Sequence, residues 1–289
     1  MTEVNEKCDS CSQKGSCKDK DAGKEGTCIV DRMARIKHKI IIASGKGGVG
    51  KSTISVNLAR ALQMKGLRVG VLDADITGPD IPKLLGIEDQ KLMQGSEGIE
   101  PADANGIKAA SMALILSSRE APVVWRGPMK MAAIKQFIQD VNWGDLDFLI
   151  VDLPPGTSDE PLSVLQLIPD LAGAIIVTTP QEVSLLDSRK AVNMVKAMKL
   201  PVLGIVENMS GLKCPHCQET INIFGSGGGE RMAEEMNVPF LGAIPIDPQV
   251  CAWGDSGQTF AGCKTQAGES FAGIVERLLE MFNQQKRMV

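Results

Sequence analysis

The chain has 289 residues, of which 43% are hydrophobic, and this is enough for one large α/β domain with a buried core. The net charge of -4 gives no overall basic surface, so we expect no nucleic-acid partner. The longest apolar runs fall far short of the roughly 20 residues that span a bilayer, and the polar amino terminus lacks the apolar segment of a secretory signal. We therefore expect a cytoplasmic protein without a membrane span.

The amino-terminal segment is rich in Cys, Lys, Asp, Ser and Gly, and without apolar periodicity it cannot build a hydrophobic core by itself. Its four cysteines are Cys8, Cys11, Cys17 and Cys28. Four thiols in so polar a segment favour a metal that folds it, because a [4Fe-4S] cluster and a zinc ion both accept four thiolates. We predict a small cysteine-rich extension over residues 1–37 and a main domain over residues 38–289.

From Lys39 onward, short apolar runs alternate with amphipathic stretches. The runs predict strands at residues 39–44, 68–73, 106–112, 147–153, 173–179, 201–208 and 239–245. The amphipathic stretches predict helices at residues 52–66, 129–141, 184–198, 227–236 and 269–284. This alternation is typical of an α/β fold with a mostly parallel sheet and helices on both faces.

A phosphate-binding loop is predicted at residues 45–52, "GKGGVGKS", which fits the pattern G-x-x-x-x-G-K-[ST] between a strand and a helix. Glycines allow the backbone amides to face the phosphates, while Lys51 would bridge the β- and γ-phosphates and Ser52 would bind Mg²⁺. We expect ATP to contact Gly45, Lys46, Gly47, Gly48, Val49, Gly50, Lys51, Ser52 and Thr53.

The second lysine of this loop, Lys46, resembles that of the deviant Walker A loop of the MinD/ParA class of dimeric P-loop ATPases. The resemblance implies that Lys46 reaches the nucleotide of a partner subunit. It further implies that Asp75, in "VLDADITGP", positions the attacking water and that Asp152, in "FLIVDLPPGTSD", organises Mg²⁺. By the same resemblance, Gly156 belongs to the switch II loop and Asn208 contacts adenine.

A separate pair of thiols, Cys214 and Cys217, stands in the C-x-x-C stretch "CPHC" and supplies only half of a four-ligand metal site. If the ATPase dimerises face to face, a two-fold axis doubles this pair and completes a site for a [4Fe-4S] cluster or a zinc ion. A redox dithiol, or a pair that binds nothing, is the alternative. We expect Cys251 and Cys263 to be buried or uninvolved thiols.

Residues 38–265 resemble the Mrp/ApbC family of iron-sulfur cluster carrier ATPases. The motifs that carry the resemblance are "GKGGVGKST", "VVWRGPM", "DLPPGTSDE" and "ENMSGLKCPHC". The resemblance implies a homodimer, or a heteromer with a related ATPase. Such a dimer would hold a labile [4Fe-4S] cluster between subunits and pass it to apoproteins, with slow ATP hydrolysis linked to the cycle.

The resemblance extends to the amino-terminal segment only in part. Some members of the family carry a cluster motif ending in C-x2-C-x5-C, which Cys8, Cys11 and Cys17 match. Their fourth cysteine lies upstream, whereas here no cysteine precedes Cys8, and this leaves Cys28 as the candidate ligand. The resemblance favours a cluster over zinc at these residues.

Two other functions are compatible with the sequence. One is a MinD/ParA-like positioning ATPase that binds membrane or DNA, for which the terminal stretch "SFAGIVERLLEMFNQQKRMV" would supply a membrane-surface helix. Its acidic Glu276 and Glu280 weaken that attraction, and such a helix more often covers its own sheet. The other is a nucleotide switch bridged by zinc, with no cluster.

Overall fold

The computed structural model describes residues 32–116, 125–214 and 216–287. Within these ranges the chain forms a nine-stranded sheet with helices around it and a separate two-stranded sheet. The strands are β1 Ile36–Ser44, β2 Val69–Asp73, β3 Met93–Gly95, β4 Gly98–Glu100, β5 Ala102–Asp103, β6 Ile107–Ala110, β7 Leu146–Asp152, β8 Leu171–Thr178, β9 Val202–Lys213, β10 Thr220–Ile221 and β11 Phe240–Ile246. The helices are α1 Lys51–Met64, α2 Ile81–Leu85, α3 Gly127–Asp140, α4 Asp159–Leu167, α5 Glu182–Ala197, α6 Gly228–Glu235, α7 Pro248–Asp255 and α8 Gln266–Arg287, with a 3-10 helix at Met112–Leu114.

The order of the strands places the nucleotide-binding elements at the centre of the sheet. It runs β10-β9-β8-β1-β7-β2-β6-β5, with β11 also paired to β9. In this sheet the strand pairs are parallel except for two. The short strands β5 and β10 run antiparallel to their neighbours, β6 and β9. This confirms the predicted α/β fold with a mostly parallel sheet. Because parallel strands end at one edge, the loops after β1, β2 and β7 meet there.

The hydrophobic core has two parts, one on each face of the sheet. Successive residues of β1 alternate between them: Ile40 and Ile42 join the cluster that includes α1 and α8, and Ile41 and Ala43 join the cluster that includes α3 and α5. Alternation of side chains along a strand requires this division. Burial on both faces explains why the central strands are continuous apolar runs.

The predicted helices and strands are present, with shifted ends. β1 begins at Ile36, so the predicted start of the main domain at residue 38 falls inside this strand. The predicted strand at 106–112 ends at Ala110, because the Ser111 hydroxyl accepts the amide hydrogen of Ala113 and caps the 3-10 helix. β9 continues to Lys213, five residues beyond the predicted end. Helices α2, α4 and α7 were not predicted.

The terminal helix α8 covers the sheet with its apolar side. Phe271, Ile274, Leu278 and Phe282 are all at most 4% exposed and belong to the core, while Glu276 lies on the exposed side together with Glu280. A helix whose apolar face is buried in its own domain has no such face left for a membrane surface. None of the helices in the described part of the chain is long and apolar enough to cross a bilayer.

Candidate functional site

The loop between β1 and α1 has the backbone that phosphate binding requires. Gly50 has φ +85°, in the left-handed region that favours glycine, and precedes the first residue of α1. A Cβ atom at Gly45 would lie 2.2 Å from the backbone carbon of Asp187, so only glycine fits there. The amino terminus of α1 therefore opens directly onto the loop, where amides and the helix dipole favour anions.

Asp152, at the end of β7, connects the loop to the sheet. Its Oδ2 accepts hydrogen bonds from Lys51 Nζ at 2.6 Å and from Ser52 Oγ at 2.7 Å. Its Oδ1 accepts one from Ser55 Oγ at 2.5 Å. Lys51 and Asp152 are 7% and 1% exposed, so this is a buried ion pair. The structure thus brings together three residues that the sequence predicted, and adds Ser55, which lies one turn of α1 beyond Lys51.

Two further aspartates follow β2, next to Asp152. Asp73 is the register partner of Asp152 between β2 and β7, and its Oδ2 accepts a hydrogen bond from Ser111 Oγ at 2.9 Å. Burial, with the charge of Asp152 second, raises the pKa of Asp73 well above its ordinary value. Burial also raises the pKa of Asp75, whose Oδ1 accepts the Gly78 amide hydrogen at 3.1 Å.

A cleft of about 500 Å³ lies in front of these groups. Its walls include Lys46, Gly48 and Ser52, which are predicted nucleotide contacts, and Asp75, which is expected to position the attacking water. Ser52 Oγ and Asp152 Oδ2 supply the oxygen ligands that Mg²⁺ prefers, and they lie within hydrogen-bonding distance of each other, so the residues fit the expected ion. The Lys46 carbonyl accepts a hydrogen bond from Ser44 Oγ at 3.0 Å, which fixes the backbone at the mouth of the cleft.

A second, more apolar cavity of about 370 Å³ adjoins the cleft at Gly50 and Thr53. Asn208 lines it, and Asn208 Nδ2 donates to the Val49 carbonyl at 2.9 Å. An apolar cavity with one amide at its inner wall suits a flat heterocycle such as adenine. Cys251, in α7, also lines it and is exposed, so this thiol is not buried, and that it is uninvolved stays an expectation. Cys263 is half-buried.

Glu207, next to Asn208, was not singled out from the sequence. Its carboxylate is fully buried and accepts hydrogen bonds from Ser210 Oγ and from the amides of Gly227, at 2.9 Å, and Gly229, at 2.5 Å. The two amides belong to the amino terminus of α6, where a negative charge is favoured. Glu207 therefore fastens the middle of β9 to the glycine-rich segment before α6.

The C-x-x-C pair lies at the far end of β9, at the tip of the hairpin that β9 forms with β10. The Cys214 amide donates to the Glu219 carbonyl at 2.9 Å, and the Gln218 amide donates to the Cys214 carbonyl at 3.0 Å, which closes the turn. Cys217 is exposed and Cys214 is half-buried. Hydrogen bonds from the Cys217 amide, the His216 amide and the Cys217 thiol lower the pKa of Cys214. A lowered pKa favours the thiolate, the form that binds metal.

The hairpin tip is separate from the nucleotide cleft. Cys214 stands six positions after Asn208, a span of up to about 20 Å in an extended strand. In the residues that the structure describes, no group of three or more His, Cys, Asp or Glu side chains is arranged to hold a metal. Within this part of one chain, Cys214 and Cys217 could therefore supply two of the four ligands that a metal site was expected to need. Cys8, Cys11, Cys17 and Cys28 lie outside the described residues.

The chain is similar to several known proteins. The family model described as "ParA: NUBPL iron-transfer P-loop NTPase" matches residues 35–279. An iron-sulfur cluster carrier protein of Methanocaldococcus jannaschii is 50% identical over 283 residues, which cover 97% of this chain and 98% of the relative. A cytosolic Fe-S cluster assembly factor, the NUBP2 homolog of Dictyostelium discoideum, is 50% identical over 232 residues, 78% of this chain and 87% of the relative.

A solved structure is also similar in fold. It is a nucleotide-binding protein from Archaeoglobus fulgidus in complex with ADP, in which cobalt was found. The TM-score is 0.72 at 40% sequence identity, and the match covers 81% of this chain and 91% of the other. A nucleotide is thus bound by a protein of the same fold and substantial identity.

Proposed function

Because the chain belongs to the ParA family of NUBPL iron-transfer P-loop NTPases, we propose that it is an ATP-dependent carrier of iron-sulfur clusters. In this proposal two copies hold one [4Fe-4S] cluster between their Cys214 and Cys217 thiolates and pass it to apoproteins. The observation that carries the proposal is the thiol pair at the hairpin tip, which has no further metal-binding group beside it in the described residues. A second copy would supply two more thiolates. Relatives named as carriers or cytosolic assembly factors support it, and the cytosol is the proposed location.

The nucleotide site would use the residues already gathered around Asp152. The loop amides and Lys51 would hold the phosphates, and Asn208 would face adenine. Ser52 and Asp152 would hold Mg²⁺, which when bound offsets the negative charge of the phosphates. Asp75 would accept a hydrogen bond from the attacking water and orient it toward the γ-phosphorus, whose bond to the leaving oxygen of ADP then breaks.

Strand β9 would couple the nucleotide site to the cluster site. One of its residues, Asn208, touches the phosphate-binding loop through the Val49 carbonyl, and the same strand ends at the cysteine hairpin. Glu207 fastens this strand to α6. Coupling requires that the cluster-bound dimer prefer one nucleotide state. Lys46, by its family resemblance, would reach the partner's nucleotide and favour the closed dimer.

The metal content of the protein tests this proposal. Iron, acid-labile sulfide and zinc are measured per chain in anaerobically reconstituted protein whose Cys8, Cys11, Cys17 and Cys28 are replaced by Ser. In this background a four-iron cluster shared by two chains gives about two irons per chain, with matching sulfide. Adding Cys214→Ala and Cys217→Ala should remove them, while the control pair Cys251→Ala and Cys263→Ala should not.

Two results would contradict the carrier proposal. Zinc without sulfide would favour the zinc-bridged nucleotide switch. Iron and sulfide that survive the loss of both Cys214 and Cys217 would place the cluster elsewhere. The amino-terminal cysteines are tested by the reciprocal background, in which Cys214 and Cys217 are absent, and the proposed [4Fe-4S] cluster there predicts about four irons per chain.

A further inference from the structure

Lys130 lies between the two loops that surround the nucleotide cleft. It is in the first turn of α3, and its side chain is 14% exposed. Its Nζ donates to Thr77 Oγ1 at 2.9 Å and to Glu160 Oε1 at 2.8 Å. One ammonium group therefore contacts residues from two separate parts of the chain.

Both hydrogen-bond partners of Lys130 are close in sequence to a loop that leads from a residue of the nucleotide site. Thr77 stands two positions after Asp75, in the loop of residues 74–80 where the Gly78 amide donates to Asp75. Glu160 is in the first turn of α4, directly after the loop of residues 153–158 that leads away from Asp152. Lys130 thus connects the loop of residues 74–80 to the start of α4, which follows the loop of residues 153–158.

Lys130 belongs to a helix that is anchored in the core, and it contacts a residue of an exposed loop. Ile134, Phe137 and Ile138 of α3 are at most 2% exposed and belong to the core, so the helix is anchored. Thr77, in contrast, is exposed. Because a partly buried ion pair holds one geometry better than an exposed pair does, the Lys130 and Glu160 pair gives the ammonium a defined position from which to hold Thr77.

We propose that Lys130 is a positioning residue, which holds the loop of residues 74–80 against α4 and thereby keeps Asp75 in the nucleotide cleft. The inference deepens the proposed function, since it rests on ATP hydrolysis at this cleft. Neither of its two hydrogen-bond partners, Thr77 and Glu160, is among the residues that would bind phosphate. Its effect on turnover would come from the geometry of Asp75, where a small displacement is costly to the rate.

Three variants separate this role from that of an ordinary ion pair. Lys130→Met removes both contacts, Thr77→Val removes only the contact with the loop, and Lys130→Arg keeps a cation that reaches both partners. The matched control is Lys37→Met, which removes a lysine and carboxylate pair, Lys37 with Asp147 at 2.7 Å, at the opposite edge of the sheet. The full-length protein is used throughout.

The readouts are kcat and KM for ATP, the Kd of MgADP, the thermal unfolding midpoint, and hydrogen-deuterium exchange of the segment 74–80. We expect Lys130→Met and Thr77→Val to lower kcat by about tenfold and to leave the Kd of MgADP within about twofold of wild type. Exchange in segment 74–80 should become at least about threefold faster. Lys130→Arg should recover most of the loss, and Lys37→Met should match wild type in kcat, KM, the Kd of MgADP and exchange of segment 74–80.

The inference is overturned if Lys130→Met and Lys37→Met have the same kcat or the same exchange in segment 74–80. It is also overturned if kcat, ADP affinity and the thermal unfolding midpoint all fall together, since that is the result of a purely structural role. Absence of ATP turnover in the wild type would refute the proposed function instead. In that case exchange in segment 74–80, compared between Lys130→Met and Lys37→Met, still decides whether the contact fixes the loop.

Discussion

At the scale of single residues, the two cysteines of the hairpin differ in their surroundings. Backbone amides of Cys217 and His216 and the thiol of Cys217 donate to Cys214 and lower its pKa below the ordinary value of 9.0. Because the thiolate is stabilised, it persists to lower pH than in a free thiol. We predict that the pH midpoint for iodoacetamide alkylation of Cys214 in the metal-free protein is lower than that of glutathione, as measured by mass spectrometry of the Cys214 peptide.

A variant tests which donors are responsible. Cys217→Ala removes the thiol donor but keeps both amides, which include the largest cause of the shift. The midpoint of Cys214 should therefore rise only part of the way toward that of glutathione. Equal midpoints for wild-type Cys214 and glutathione would refute the prediction.

Most of the nucleotide site could be predicted at this scale, because the residues are close in sequence or end a buried strand. Lys51, Ser52 and Asp152 are such residues, and the structure brings them together. Ser55 and Lys130 were not predicted, since a serine or lysine within a helix has no distinctive spacing. Their roles depend on contacts with Asp152, 97 residues away, and with Thr77, 53 residues away, which only the topology of the sheet decides.

At the scale of elements, Asp147 joins three strands at the edge of the sheet opposite the cleft. It stands at the start of β7 and accepts hydrogen bonds from Lys37 Nζ of β1 at 2.7 Å and from the Arg68 amide, just before β2, at 2.9 Å. Its side chain is 15% exposed. We predict that Asp147→Asn lowers the free energy of unfolding at pH 7 by about 1–2 kcal/mol, measured by urea denaturation.

The pH dependence of this difference follows from the pKa of Asp147. The Lys37 hydrogen bond, followed by those from Arg68, holds the pKa of Asp147 well below its usual range. A carboxyl with a lowered pKa stabilises the folded state above its unfolded value, about 3.9, and loses that contribution as the pH falls toward the folded value. The difference between wild type and Asp147→Asn should therefore shrink between pH 5 and pH 3.

The neighbouring Asp145 supplies the control, because it pairs with Arg35 in an exposed position. Asp145→Asn should have the smaller effect at pH 7. A difference between Asp147→Asn and wild type that stays constant from pH 7 to pH 3 would show that charge is not the cause.

The elements themselves were predictable where they are long and apolar. The central strands read as continuous hydrophobic runs because both faces are buried, and the sequence therefore predicted them within a few residues. Helices α2, α4 and α7 have five, nine and eight residues, too few for an apolar period to stand out. Each of them begins beside a loop of the cleft or the adjoining cavity. In such a position the local sequence has to meet the requirements of the site as well as those of the helix.

At the scale of the whole molecule, the expected ATP-dependent dimer depends on Lys46. The residue lines the mouth of the cleft, and the Ser44 hydroxyl fixes its backbone. We predict that Lys46→Ala raises the dimer Kd in the presence of a non-hydrolysable ATP analogue and Mg²⁺ by at least about tenfold, measured by analytical ultracentrifugation. The control is Lys65→Ala, an exposed lysine that follows α1.

The same variant separates two ways of holding the subunits together. If the cluster bridges the hairpins, reconstituted Lys46→Ala should still dimerise without nucleotide, and loss of Cys214 and Cys217 should abolish that dimer. Lys46→Ala that dimerises with the ATP analogue as tightly as wild type would refute the role of Lys46. A cluster-loaded monomer would instead refute bridging.

The hairpin tip offers two thiols per chain, exposed and half-buried, with no further metal-binding cluster in the described residues. A site that needs two chains forms only when those chains associate, so its formation follows mass action in the concentration of the chain. Its occupancy depends on the concentration of protein as well as on the supply of cluster. The abundance of the chain in a cell would then set what fraction of the chains holds a cluster, and dilution alone would favour its release.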